Sequence, residues 1–320
     1  MNRALEYSSV WLVPKMCIVN SRSECNASVF VAGRKWRVPI IPANMKCTID
    51  FTLARWLATH DYFYILHRFY TYEEIVEWVG KNQDMFISLS LGVKDGDYEF
   101  IRTLKDKNFR VDAITIDIAH GHSPAVKNIL EHVRKNFPNC FIIAGNVASK
   151  QAFIDLAAWG ADAVKVGIGG GAACSTKDKT GFTYPMYSCV KFCAEGKKEV
   201  KGKVPLLIAD GGIKHNGYIA KAIHAGADMV MIGAMMSHCT DSPAESVEVD
   251  GKIKKYYFGS ASAENKGTTC HVEGFVREFE SNGMTYEQKL KEIEEDLQSA
   301  ISYSGGKNVY DIRNVDCVVT

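Results

Sequence analysis

Short apolar runs alternating with helical stretches constrain the fold of this chain more than any other feature. The runs cover 38–43, 62–67, 85–93, 113–120, 140–147, 163–169, 204–209 and 229–235. They are nearly continuous in Ile, Val, Leu, Ala and Met, which is the pattern of strands buried on both faces of a parallel sheet. Between them, 50–60, 72–81, 123–136, 150–159, 184–196 and 217–226 read as helices, most of them ending in Gly or Asn as C-capping favours. Eight such strands predict an α/β chain closed as a single (β/α)8 TIM barrel over 1–320. An open doubly wound sheet is disfavoured, because no G-x-G-x-x-G follows the first run.

Two regions stand outside the repeat. Residues 1–40 form an N-terminal extension with a hairpin signal around Ala32-Gly33. Residues 237–285 read as a mobile hairpin and flap, with the hairpin at 248–260 turning on Asp250-Gly251. Lys252, Lys254 and Lys255 are expected on a solvated hairpin face. A C-terminal helix follows at 286–302, with Leu290, Ile293, Leu297 and Ile301 at helical spacing. The 38 basic and 37 acidic residues leave a net charge of +1, which argues against nucleic acid or an anionic membrane as a partner. No apolar run reaches membrane-spanning length. Ten scattered cysteines suggest no disulfide framework and fit a cytoplasmic setting.

Polar and small residues gather at the C-terminal ends of the runs. They are Asn44, His67, Arg68, Asp117, Ala119, His120, His122, Gly145 and Asn146, then Asp210, Gly211, Gly212 and Gly233. In a barrel these ends share one mouth, where active sites sit. After the sixth run comes GIGGGAACSTKDKTG, a loop nearly without side chains that carries one thiol, Cys174. Such a loop admits close backbone approach, and a thiol there is a candidate nucleophile. On spacing alone, a glycine-rich turn holding one of ten cysteines fits equally well. The DGG of 210–212 and IGAM of 232–235 follow the last two runs, where barrels bind phosphate through backbone N–H groups. The ligand class is then a phosphorylated small molecule. His120 and His122 lack a matched Cys or carboxylate cluster and read as a hydrogen-bonded site wall rather than a metal pair. Cys189 and Cys193 read as buried small hydrophobes.

Taken together, SRSEC, PANM, GIGGGAACSTKDKTG, IADGGI, MVMIGAM, HVEG and SAISYSGG resemble the IMP dehydrogenase/GMP reductase family, from about Tyr7 to the C-terminus. PANM, DIAHGHS and the lack of an inserted module between the second and third strands resemble its bacterial reductases. The resemblance implies NADPH-dependent reductive deamination of GMP to IMP and ammonia, in a homotetramer. Cys174 would attack C2 of the purine, with Thr176 and Glu273 assisting the leaving amine. Asp210, Gly211, Gly212, Gly233, Ala234, Gly259 and Ser260 would hold the nucleotide. Asp117, Ile118, Ala119, Ile168, Gly169 and Arg68 would face NADPH, with Ser21, Arg22, Ser299 and Ser302, some of them from a neighbouring subunit. Gly169, Gly171 and Cys174 would offer carbonyls to a monovalent cation, typically K+.

The chain departs from the family pattern at Gly170, where proline is usual, at Phe275, where lysine is usual, and at Cys270, where a basic residue is usual. The alternatives are an NAD-dependent IMP dehydrogenase and a non-catalytic purine-nucleotide-binding barrel.

Overall fold

This computed structural model describes residues 4–259, 262 and 274–320. Its centre is one parallel sheet of seven strands: β1 (Ile40–Pro42), β2 (Ser88–Leu91), β3 (Ala113–Asp117), β4 (Phe141–Val147), β5 (Ala163–Val166), β6 (Leu206–Asp210) and β7 (Met229–Ile232). The spatial order is β1-β7-β6-β5-β4-β3-β2. From β2 to β7, each strand lies beside its predecessor in sequence, as short β–α–β connections favour. β2, β5 and β7 are buried at every position, including Ser88 and Ser90 of β2 and Lys165 of β5, as strands covered on both faces must be.

The run at 62–67 differs from expectation. It is buried but forms no strand of the sheet, meeting β2 through a single parallel bridge between Leu66 and Leu89. Side chains take over ladder positions there. The Tyr64 hydroxyl donates to the Phe86 carbonyl at 2.6 Å and accepts from Ser88 N–H at 3.2 Å. Ser90 Oγ donates to the Leu66 carbonyl at 2.7 Å.

Helices cover the sheet: α1 (Phe51–Thr59), α2 (Tyr72–Lys81), α3 (Asp95–Asp106), α4 (Pro124–Asn136), α5 (Lys150–Ala158), α6 (Thr176–Thr180), α7 (Met186–Glu195), α8 (Asn216–His224), α9 (Ala234–Ser237) and α10 (Tyr286–Tyr303). Their starts are written in side chains. Asp50, Ser123 and Ser149 each cap a third-residue N–H, and Thr71 with Glu74 and Thr285 with Gln288 form capping boxes. Each such cap contributes about 1 kcal/mol. α3 adds to the expected helices, its polar first turn hiding it from the apolar pattern; Asp97 fixes it by accepting N–H groups from Lys94 and Gly92 at 2.8 and 3.1 Å.

At the N-terminal ends of the strands one device recurs. Asp112, Asp162 and Asp228 immediately precede β3, β5 and β7, and each accepts an N–H from the neighbouring strand or the residue just before it: Ile87 at 2.7 Å, Ile142 at 2.8 Å and Leu207 at 2.7 Å. Cations close these clamps, Arg134 and Lys203 on Asp162 and Lys197 and Arg313 on Asp228. Carboxylates at this end of a parallel barrel-like sheet serve stability.

The extensions follow the turn chemistry. Val29–Val31 and Arg34–Trp36 pair across Ala32-Gly33, and Ser246–Val249 and Lys252–Phe258 pair across Asp250-Gly251, all four turn residues having positive φ. Val276–Glu280 adds a third strand to the second hairpin. Val10–Leu12 pairs antiparallel with Cys317–Val319 and ties the two ends of the chain together.

One expectation for the hairpin is overturned. Lys252 and Lys254 lie outward on Glu280 and Glu278, but Lys255 is 2% exposed. Strand periodicity turns it to the opposite face, where its Nζ donates to the carbonyls of Thr240 and Ser242 at 3.1 and 3.2 Å.

Candidate active site

The C-terminal ends of the strands converge on the loop after β5. Gly167 and Gly169 have φ of 143° and 79°, so the chain turns at once on leaving the strand. A Cβ at Gly167 would lie 2.0 Å from the Asp210 carbonyl oxygen, and one at Gly211 would lie 3.0 Å from the Gly170 carbonyl carbon. Glycines therefore let the loops after β5 and β6 run backbone against backbone. The Gly212 N–H donates to the Gly170 carbonyl at 2.9 Å. Thr183 Oγ1 secures the other side by donating to the Ile168 carbonyl at 2.9 Å.

Cys174 sits at the crest of this loop, partly exposed, its N–H donating to the Gly171 carbonyl at 3.1 Å. Its thiol donates to Thr176 Oγ1 at 3.1 Å. Gly274 pairs with Cys174 in an antiparallel bridge, and the Phe275 N–H donates to the Ala173 carbonyl at 3.1 Å. The hairpin thus reaches over the loop. It also sends Tyr257 into the mouth, 5% exposed, with a hydroxyl 2.4 Å from where a Cβ of Gly233 would stand. Burial, reinforced by Cys47, Asp210 and Cys174, keeps the Tyr257 phenol protonated by raising its pKa.

Beneath the loop lies a buried ionic cluster. Lys165, in the middle of β5, is 2% exposed, and its Nζ contacts Asp117 Oδ1 at 2.7 Å and Asp210 Oδ2 at 3.2 Å. Asn44 donates to Asp117 Oδ2 at 3.1 Å, and Asn146 to Asp210 Oδ2 at 2.8 Å. Burial opposes both charges, yet Lys165 and Arg68 hold the Asp117 carboxyl below its usual range, and the two carboxylates hold the Lys165 ammonium above its own. Arg68 stands nearby with a buried Nε that has no hydrogen-bond partner. Gly92 gives it room, since a Cβ there would lie 3.2 Å from Arg68 Nη1.

The structure therefore brings together Cys174, Thr176, Gly169, Gly171, Ile168, Asp210, Gly211, Gly212 and Gly233, with Ala234 at the start of α9. A Cβ at Gly259 would meet the Ala173 carbonyl at 3.5 Å, which puts that residue beside the loop. Asp117 reaches the same centre through Lys165, and Ile118 exchanges backbone hydrogen bonds with Gly145 and Asn146 at 3.1 and 2.9 Å, while Ala119 is exposed. Glu273, Ser260 and Cys270 lie outside the described residues. Ser21, Arg22, Ser299 and Ser302 gather elsewhere, against α10: Arg22 Nη1 donates to Ser299 Oγ at 3.1 Å, Ser302 Oγ to the Ser299 carbonyl at 2.8 Å, and Ser21 caps the turn carrying Arg22.

His122 does not line the mouth. Its Nε2 meets Asp155 of α5 at 2.8 Å and its ring stacks on Trp159, because a carboxylate and an indole wait in the helix layer. His120 is exposed. Among the described residues no group of three or more His, Cys, Asp or Glu could hold a metal ion. Lys165 is the site residue that the motifs do not flag. Its signal lies in the strand itself, since a lysine inside an otherwise apolar strand is rarely buried without carboxylate partners.

Known proteins are similar to this chain in sequence. The family model for the IMP dehydrogenase / GMP reductase domain matches residues 4–319. A GMP reductase of Albidiferax ferrireducens is 48% identical over 98% of this chain and 95% of that relative. GMP reductases of Oceanobacillus iheyensis and Leptothrix cholodnii are 46% and 45% identical, over 100% and 98% of this chain and 96% and 95% of theirs. With a thiol loop, a DGG loop and a full-length match in agreement, the chain belongs to the IMP dehydrogenase/GMP reductase family.

Proposed function

We propose that this chain is an enzyme that reduces GMP to IMP and ammonia with NADPH, through a covalent bond to Cys174. The observation that carries the reading is the Cys174 thiol, 3.1 Å from Thr176 Oγ1, on a loop backbone-bonded to the DGG loop. The thiol gives up its proton toward the Thr176 hydroxyl, and the thiolate sulfur bonds to C2 of the purine. The C2–N bond to the exocyclic amine breaks as Thr176 relays a proton to it, so that ammonia departs. Glu273, which directly precedes Gly274 in the chain, shares that relay. When bound, NADPH supplies the hydride that reduces C2. The C–S bond then breaks, returning the Cys174 thiolate and releasing IMP.

Backbone N–H groups of Gly211, Gly233, Ala234, Gly259 and Ser260 hold the nucleotide phosphate and Asp210 its ribose, while Gly212 keeps the DGG loop on the thiol loop through its own N–H. The residues fit NADPH: the unpartnered Arg68 Nε suits an anionic group and the Asp117 carboxylate suits hydroxyls. Ile118, Ala119, Ile168 and Gly169 line that side, and Ser21, Arg22, Ser299 and Ser302 complete it across a subunit boundary in a homotetramer. The donor set also fits K+, because backbone carbonyls of Gly169, Gly171 and Cys174 are the oxygens it takes. The Leu66–Leu89 bridge supports closure as a (β/α)8 barrel over one domain, with 62–67 as second strand.

The test mixes the protein with GMP and NADPH and follows absorbance of the reduced cofactor. Oxidation that requires GMP and disappears in Cys174→Ala is the expected result. Activity with IMP and NAD alone would assign the dehydrogenase instead, and full turnover by Cys174→Ala would refute the covalent route.

A further inference from the structure

We propose that Lys165 is a positioning residue that couples the two halves of the mouth, by holding the cofactor-side Asp117 and the nucleotide-side Asp210 on one ammonium. The inference rests on the functional reading above, and goes beyond it by making binding on one side depend on the other.

All three ammonium N–H directions are occupied, by Asp117 Oδ1 at 2.7 Å, Asp210 Oδ2 at 3.2 Å and Met231 Sδ at 3.8 Å. Each carboxylate has a second anchor, Asn44 on Asp117 and Asn146 on Asp210. Asn146 Nδ2 also donates to the Gly167 carbonyl at 2.8 Å, where the thiol loop begins. The lysine side chain is 3% exposed, whereas those of Asp117 and Asp210 are 13% and 22% exposed. The charge that fixes the carboxylates is thus sealed below, while the carboxylates themselves reach the mouth. Asp210 Oδ1 accepts no hydrogen bond among the described residues, so it is open to a ligand hydroxyl. A ligand that fixes either mouth-facing carboxylate fixes it against an ammonium with no spare N–H, so the other carboxylate is settled with it and less of its freedom is left for the second ligand to remove. No flexible segment need move, because β3, β5 and β6 carry the three charges.

The experiment measures equilibrium binding of GMP alone and with saturating oxidised NADP, a pair that cannot turn over, and of NADP with and without GMP. In the wild-type chain each ligand tightens the other about fivefold or more, the lower end of ordinary coupling. In Lys165→Met both affinities fall and the coupling factor drops to one, while Lys165→Arg, whose fork can still bridge two carboxylates, retains it. A residue that merely supported the fold would weaken binding without changing the coupling factor. If Lys165→Met fails to fold, Lys165→Met/Asp117→Asn removes the charge imbalance and is expected to fold uncoupled. Coupling that survives either substitution, or a wild-type chain that binds both ligands independently, overturns the inference alone. A wild-type chain that binds neither ligand overturns the functional reading with it.

Discussion

Gly212 donates its backbone N–H to the carbonyl of Gly170 over 2.9 Å, so the thiol loop and the DGG loop move as one backbone-bonded unit. Their contact has no side chain to absorb an error. Whatever displaces one strand end displaces the nucleophile.

Gly211 is one point at which that unit is vulnerable. Its φ is +112°, and an added Cβ would lie 3.0 Å from the Gly170 carbonyl carbon. Gly211→Ala therefore combines backbone strain of about 1–3 kcal/mol with a steric push on the loop. A displacement near 1 Å at a catalytic group costs on the order of 100-fold, and kcat/KM for GMP is expected to fall by about that factor. Gly202→Ala is the control: φ is +94° there, with nothing within 4 Å of the added carbon. It should lower the melting temperature and leave kcat/KM unchanged.

Thr176 accepts from the Cys174 thiol through a hydroxyl that can pass the proton on. Thr176→Val keeps the shape and removes the proton path. Turnover should fall by about 10²–10⁴-fold, the usual contribution of a positioned proton donor, with GMP affinity little changed. Thr176→Ser should recover most of the rate. Steady-state kinetics paired with GMP binding separates the two effects, and equal losses in both would deny Thr176 its proposed role.

Much of this was legible in the sequence for a physical reason. Continuous apolar runs leave buried parallel strands as their main option, and glycines at 169–171 and 211–212 announce a close backbone approach. The full-length match to the reductases bears out the resemblance read from the motifs. What local pattern could not reveal was partnership. The run at 62–67 has strand composition, yet Tyr64 and Ser90 hydroxyls take ladder positions and only one bridge forms. His122 has the chemistry of a site wall but finds Asp155 and Trp159 on the next helix. Lys165 looks like an interruption in a core strand until Asp117 and Asp210, distant in sequence, meet it.

Lys255 makes the same point as a stability prediction. Its ammonium satisfies the carbonyls of Thr240 and Ser242, both at the foot of the hairpin that supplies Tyr257. Lys255→Met preserves the stem and leaves those carbonyls without their donor. The expected loss is about 1–3 kcal/mol in urea unfolding. Lys254→Met breaks only the solvent-screened pair with Glu278 and should cost much less. Equal effects would return Lys255 to the solvated face.

His67 gives the chain an acid-sensitive element in its mouth. Burial, then the charge of Lys46, lowers its pKa from 6.5 to about 4. The ring is accordingly neutral at pH 7, accepting the Phe69 N–H at Nδ1 over 3.1 Å and stacking on Tyr70 at 4.5 Å. Between these two pKa values the unfolded chain binds the proton and the folded chain does not. The contribution is therefore present above pH 6.5 and lost as pH falls toward 4. Its full size is on the order of 3 kcal/mol, because each tenfold loss of proton affinity on folding is worth about 1.4 kcal/mol. Urea unfolding at pH 7 and pH 5 should show wild-type stability falling more steeply than that of His67→Gln, which keeps an acceptor but has no proton to gain. Parallel losses in the two proteins would mean that the acid sensitivity resides in the carboxylates instead.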